Sequence, residues 1–103
     1  MSRPPPVRLV SAQYIRNKFN DGQFWQRAQN GQLATVLKRN GHPSPARAKL
    51  PLCTRSQLVV YLDGKKVVAM VHQYVLPDGT LGGSGRPDPK LLRLDQVTLQ
   101  VRP

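Results

Sequence analysis

The sequence predicts an α+β domain in which short N-terminal helices pack on a small antiparallel β-sheet built on a long hairpin. Three observations predict it. Gln57–Leu62 and Lys65–Leu76 are rich in Val, Leu and Tyr and flank Asp63-Gly64, and an Asp-Gly pair between β-forming runs is the strongest short-range hairpin signal. Short apolar patterns at helical spacing, each closed by an Asn or Gly stop, fill the chain before residue 42. Near the C-terminus Val97, Leu99 and Val101 alternate with Thr98 and Gln100, which is the period of a strand.

Residues 1–6, Met-Ser-Arg-Pro-Pro-Pro, read as a flexible basic arm, and residues 7–103 as a single small basic domain. Ser11 suits the N-cap of a helix over Ala12–Phe19, with Ile15 and Phe19 on one face and Arg16 and Lys18 away from it. Asn20-Asp21-Gly22 stops that helix. Gln23–Gln29 predicts a second helix, carrying Phe24, Trp25 and Ala28. Gln32–Arg39 predicts a third, with Leu33, Val36 and Leu37 as its apolar face and Asn40-Gly41 as its stop. All three are too short to stand alone and need the sheet as a partner. Phe24 and Trp25 suit either base stacking or anchoring of the helices. His42 to Pro51 contains three prolines and reads as an extended crossing loop.

For the hairpin, a type I′ turn at Asp63-Gly64 requires positive φ at both residues. It pairs Leu62 with Lys65, Val60 with Val67 and Leu58 with Ala69. Leu58, Val60, Leu62, Val67, Ala69, Val71 and Val75 then form the core face. Gln57, Val59, Tyr61, Val68, Met70, His72 and Tyr74 form a partly exposed face, and Arg55 lies opposite His72. Leu76-Pro77-Asp78-Gly79 is a tight turn, after which a return strand begins near Thr80-Leu81. Gly82-Gly83-Ser84-Gly85 interrupts it. Leu91–Leu94 and Val97–Val101 are short strands joined at Asp95-Gln96.

Charge is the dominant global property. Sixteen Lys and Arg face five acidic residues, for a net charge of +11. The acids, Asp21, Asp63, Asp78, Asp88 and Asp95, include no glutamate. Four of them precede Gly or Pro, the sequence of turn residues with a backbone role. The cations are therefore mostly uncompensated within the chain, and such a field attracts a polyanion. No apolar run approaches the ~18 residues of a membrane-spanning helix. A lone Cys53 and the lack of a hydrophobic leader point to a reducing, cytoplasmic setting. One Cys and two His match no zinc spacing, so neither metal nor cofactor is expected.

Candidate phosphate contacts are Arg55, Lys65 and Lys66 on the hairpin, and Gly83, Ser84, Arg86 and Lys90 in and after the glycine-rich loop. Glycine lets backbone N–H groups approach phosphate oxygens, and Arg forks onto them. His72 is the candidate acid–base residue, because its side chain titrates near neutrality. Tyr74 shares its face and Arg55 is its expected partner, so His72, Tyr74 and Arg55 form the candidate catalytic group. A structural histidine on a strand is the alternative. His42 stands before Pro43 in the loop, and Cys53 reads as a small buried side chain.

Asp78-Gly79-Thr80-Leu81-Gly82 through Arg86-Pro87-Asp88-Pro89-Lys90 resembles the C-terminal end of the ribosome-inactivating colicin ribonuclease domains. Those domains carry a similar Asp-Gly turn, a Leu-Gly strand and a Gly-Pro-Asp-Pro-Lys element. The resemblance implies a helix-then-twisted-sheet fold directed to RNA, and metal-free cleavage. It also departs from the family, whose enzymes use an Asp, a His and a Glu. Here only Asp63 and His72 are comparable, and Asp63 has a turn role.

Three functions are expected from these features. The first is a small basic nucleic-acid-binding protein, RNA-directed and contacting the phosphate backbone. The second is a metal-independent toxin-type ribonuclease using His72. The third is a non-catalytic phage or mobile-element protein that binds a host macromolecular complex through the mixed face of the hairpin.

Overall fold

A computed structural model describes residues 6–41, 51, 53–83 and 85–103. Six strands form one mixed sheet with two short helices, an α+β architecture. The order along the chain is β1 (Val7–Val10), α1 (Ala12–Asp21), α2 (Phe24–Gln29), β2 (Ala34–Gly41), β3 (Arg55–Asp63), β4 (Lys66–Val75), β5 (Asp88–Arg93) and β6 (Thr98–Val101). In the sheet the order is β1-β6-β5-β4-β3-β2. From β2 to β6 the neighbours are antiparallel, whereas β1 pairs with β6 in parallel, Val7 opposite Thr98. The sheet is thus not purely antiparallel as expected.

α1 begins where the sequence places it. Ser11 Oγ accepts the backbone N–H of Tyr14 at 3.1 Å, which satisfies one orphan donor of the first turn. The helix buries Ile15 and Phe19. Gly22 closes it, and a Cβ there would collide with the Phe24 ring, so only glycine allows α2 to fold back this closely. The Phe19 and Phe24 rings stack at 5.8 Å, and Phe19 meets Tyr61 at 6.0 Å. The core continues through Leu33, Val59, Val68, Ala69, Val71, Leu92 and Leu99.

The predicted third helix is a strand. Ala34–Gly41 pairs antiparallel with β3 as the sheet edge. Thr35 and Val36 are β-branched and stiff at χ1, which suits a pleated surface better than a helix. An edge of β3 is available to bond the backbone, and tertiary pairing outweighs a short helical pattern. Leu33 alone of its apolar set is buried, while Val36 and Leu37 are exposed.

The hairpin forms in a different register. Asp63 opposes Lys66 and Leu62 opposes Val67, so Gly64 and Lys65 make the turn. Only Gly64 of the turn residues has positive φ, as a turn with glycine at its first central position requires. A bulge then inserts Val68, and beyond it Tyr61 opposes Ala69 and Val59 opposes Val71. These shifts redistribute the faces. Val59, Tyr61 and Val68, expected on the mixed face, join Ala69 and Val71 in the core cluster. Leu58 and Leu62 are half-buried and Val67 is exposed.

Cys53 is exposed rather than buried and adopts positive φ. Leu81 meets Val75 in an isolated bridge, the trace of the expected return strand. Residues 1–5 of the basic arm, residues 42–50 of the crossing loop with His42, and Ser84 lie outside the described residues. No helix among the described residues is long and apolar enough to cross a membrane.

Ile15 is fully buried while Leu37 is half-exposed on the edge strand. Ile15→Ala is expected to cost about 2–5 kcal/mol in urea unfolding, and Leu37→Thr less than about 0.5 kcal/mol. Equal effects at the two positions would contradict this division between core and edge.

Candidate functional site

β4 runs past the end of its partner. The β4–β5 pairing ends at His72 opposite Asp88, and Gln73–Val75 continue paired with β3 alone, their other edge left without a strand among the described residues. The chain after β4 folds back along this free edge. Gly79 N–H donates to the Leu76 carbonyl and Gly82 N–H to the Tyr74 carbonyl, at 2.8 and 2.9 Å. Asp78 caps the turn by accepting from the Thr80 backbone N–H and hydroxyl at 2.9 and 2.6 Å. The hydroxyl bond first, then the backbone bond, holds its carboxyl below the usual range.

Between this returning segment and α1 lies a cleft of about 390 Å³. Arg16, Phe19 and Asn20 of α1 form one side, with Gly82, Gly83 and Arg86 among the residues of the loop side. His72, Gln73 and Tyr74 line it from β4, and Asp88 from β5. Gly83 has φ of 64°, a left-handed conformation that a side chain would strain. The Arg86 guanidinium lies 5.9 Å from the centre of the Trp25 ring.

His72 sits in a polar group of its own. Its Nε2 and Ser56 Oγ share a 2.7 Å hydrogen bond, and its ring meets Tyr74 edge-on at 4.7 Å. Burial lowers its pKa below the ordinary 6.5, Lys90 lowers it further, and Asp88 opposes both. The imidazole is therefore neutral at pH 7, with one nitrogen basic.

Asp88 binds two cations. It accepts from Arg16 Nε at 3.2 Å and Lys90 Nζ at 2.8 Å. Burial alone would raise its pKa, but the hydrogen bond and charge of Lys90, with those of Arg16, outweigh that and hold it low. These are the ion pairs found among the described residues. One carboxylate between two cations leaves this corner of the molecule positive.

The expected site residues thus separate. His72, Tyr74, Gly83 and Arg86 come together at the cleft, and Lys90 borders it through Asp88. Arg55 does not face His72. It opposes Val75, because the shifted register puts Leu58 across from the histidine and brings Ser56 to its ring. Lys65 and Lys66 stand at the hairpin turn, Lys66 six residues from His72 along β4, or roughly 20 Å at the strand rise. Sequence reasoning missed Ser56 and Arg16. Ser56 depended on the register, and Arg16 depended on how α1 docks against β5. No group of three or more His, Cys, Asp or Glu side chains that would hold a metal ion occurs among the described residues. Comparison of the chain with protein-family models, curated proteins and solved structures finds no match.

His72 ties stability to pH. The folded state keeps the imidazole neutral while the unfolded chain takes up a proton near pH 6.5. Stability then falls as pH drops from 6.5 towards the lower folded value. NMR titration should place the His72 midpoint below 6.5. Lys90→Ala should raise it, and Asp88→Asn should lower it further. An unshifted midpoint would refute the burial of this ring.

Proposed function

We propose that the protein binds RNA through its phosphate backbone, with the cleft between α1 and the residues Gly82, Gly83, Arg86 and Pro87 as the centre of the contact. One observation carries this reading. Arg16 and Arg86 reach a single cleft from two different elements, next to a backbone turn containing Gly83. Two guanidinium groups offer forked donors to phosphate oxygens, and the net charge of +11 supplies the long-range attraction. The resemblance of residues 78–90 to ribonuclease domains favours RNA over DNA. Lys65, Lys66 and Arg55 extend the basic surface along the hairpin. A cytoplasmic protein that works without a metal or cofactor fits this reading.

Backbone binding releases counterions, so affinity falls as salt rises. Binding of a labelled single-stranded RNA, followed by anisotropy, should weaken steeply across salt concentrations. Arg16→Gln and Arg86→Gln should each reduce the slope of log K against log salt by about 1. Tight binding that persists above about 0.5 M salt would refute the reading. The ion pair of Arg16 is half-exposed and contributes little to stability, so Arg16→Gln should stay folded.

A second reading, metal-independent RNA cleavage, is favoured by the state of His72. A neutral imidazole at the cleft is poised to take the proton of a 2′-hydroxyl. The 2′-oxygen then attacks phosphorus, the bond to the 5′-oxygen breaks, and that oxygen takes a proton from the Tyr74 hydroxyl. Ser56 would hold the imidazole in place, and the cleft cations would offset the charge on the phosphorane. Cleavage in EDTA should fall at least about 100-fold in His72→Ala. Undiminished cleavage by that variant would exclude the His72 mechanism, and no cleavage by the wild-type protein would leave binding as the function. The remaining reading, a non-catalytic phage or mobile-element protein docked on a host complex, predicts instead a nuclease-resistant association with protein.

A further inference from the structure

A second groove, of about 370 Å³, opens between α2 and the strands β2, β3 and β4. It differs in chemistry from the cleft. Trp25 and Tyr61 line it, with the amides of Gln29, Gln57 and Gln73 and the hydroxyl of Thr35, and no charged side chain lines it. Gln73 donates to Gln57 at 3.0 Å, and Gln57 donates to Asn40 at 3.4 Å, so the amides form a chain. Burial pushes the Tyr61 phenol up to about 12, which keeps it neutral.

Two residues join the groove to the cleft. Gln73 lines both, and Arg86 of the cleft lies over Trp25 of the groove. A ligand whose charged part occupies the cleft therefore has an uncharged, flat, hydrogen-bonding part beside the groove. Nucleic acid has this division: phosphates need cations, whereas bases need aromatic faces and paired donors and acceptors. Amides carry both a donor and an acceptor on one plane, which suits a base edge.

We infer that the Trp25 groove receives an unpaired nucleobase of a single-stranded RNA whose phosphates occupy the neighbouring cleft. The inference rests on the phosphate-binding reading and narrows it to single strands. In a duplex the base faces are stacked and the edges paired, so neither would be free to enter.

Trp25 is the only tryptophan of the chain, so its fluorescence reports on the groove and on the Arg86 guanidinium beside it, which makes the abasic strand the control for phosphate contact alone. The wild-type protein is titrated at low salt with a labelled short oligoadenylate, with an abasic oligonucleotide of equal length, and with a duplex RNA. Anisotropy measures binding, and Trp25 emission measures occupancy of the groove. Saturable quenching by oligoadenylate is expected, with binding of the abasic strand and the duplex leaving emission much less changed. Trp25→Leu should weaken oligoadenylate about tenfold and leave the abasic strand unaffected. Equal quenching by the abasic strand, or binding of oligoadenylate with no change in emission, would overturn the base site while sparing the cleft. If none of the three binds, the phosphate reading fails and the base site with it.

Discussion

The packing of Phe19 is the interaction on which the rest of the structure depends. α1 has ten residues and α2 six, and neither length is stable alone in water. Phe19 stacks on Phe24 of α2 and leans on Tyr61 of β3, so one ring ties both helices to the sheet. The same residue lines the cleft beside Arg16 and Asn20. Core and site are therefore not separate regions. A side chain that stabilises the helices also sets the height of one cleft wall, and the guanidinium three residues before it is carried with the helix.

Electrostatics adds a second constraint. The chain has few acids, and Asp78 is committed to its turn. Asp88 acts differently from the rest, drawing Arg16 of α1 and Lys90 of β5 onto one carboxylate. Two cations near one anion are held closer than their mutual repulsion would allow, and a net positive charge remains. Lys90 also acts on the imidazole, adding to the larger effect of burial in lowering its pKa while Asp88 opposes both. Burial of the ring, with a smaller push from Lys90, thus keeps His72 neutral inside a positive corner of the molecule.

Much of the fold was legible in the sequence where a single local signal decided the outcome. Ser11 marked the start of α1, and alternation from Val97 to Val101 marked the last strand. The glycine loop and Arg86 were recognisable because backbone freedom and charge need no register. Failures came where a local pattern competed with a distant partner. Leu33, Val36 and Leu37 fit a helix turn equally well, and only the free edge of β3 made a strand of them. The turn shifted because Gly64 alone takes positive φ, and the bulge at Val68 then moved Tyr61 into the core. That shift exchanged Arg55 for Ser56 at His72. β1 has only four residues and is paired through the far end of the chain, so no local signal announced it.

The pairing of β1 with β6 also joins distant parts of the sequence. Val7 meets Thr98 across almost the whole length of the chain, and closing so long a loop carries the largest entropic cost in the sheet. The meander from β2 to β6 joins neighbours in sequence and can form beforehand. Val10 and the entry to α1 are held by this long-range pairing, whereas the helix wall of the cleft is also held by Phe19 on Tyr61 and Arg16 on Asp88. The two arginines of the cleft, Arg16 and Arg86, lie far apart in the sequence, so the complete cationic cleft exists only once both parts of the chain are folded together.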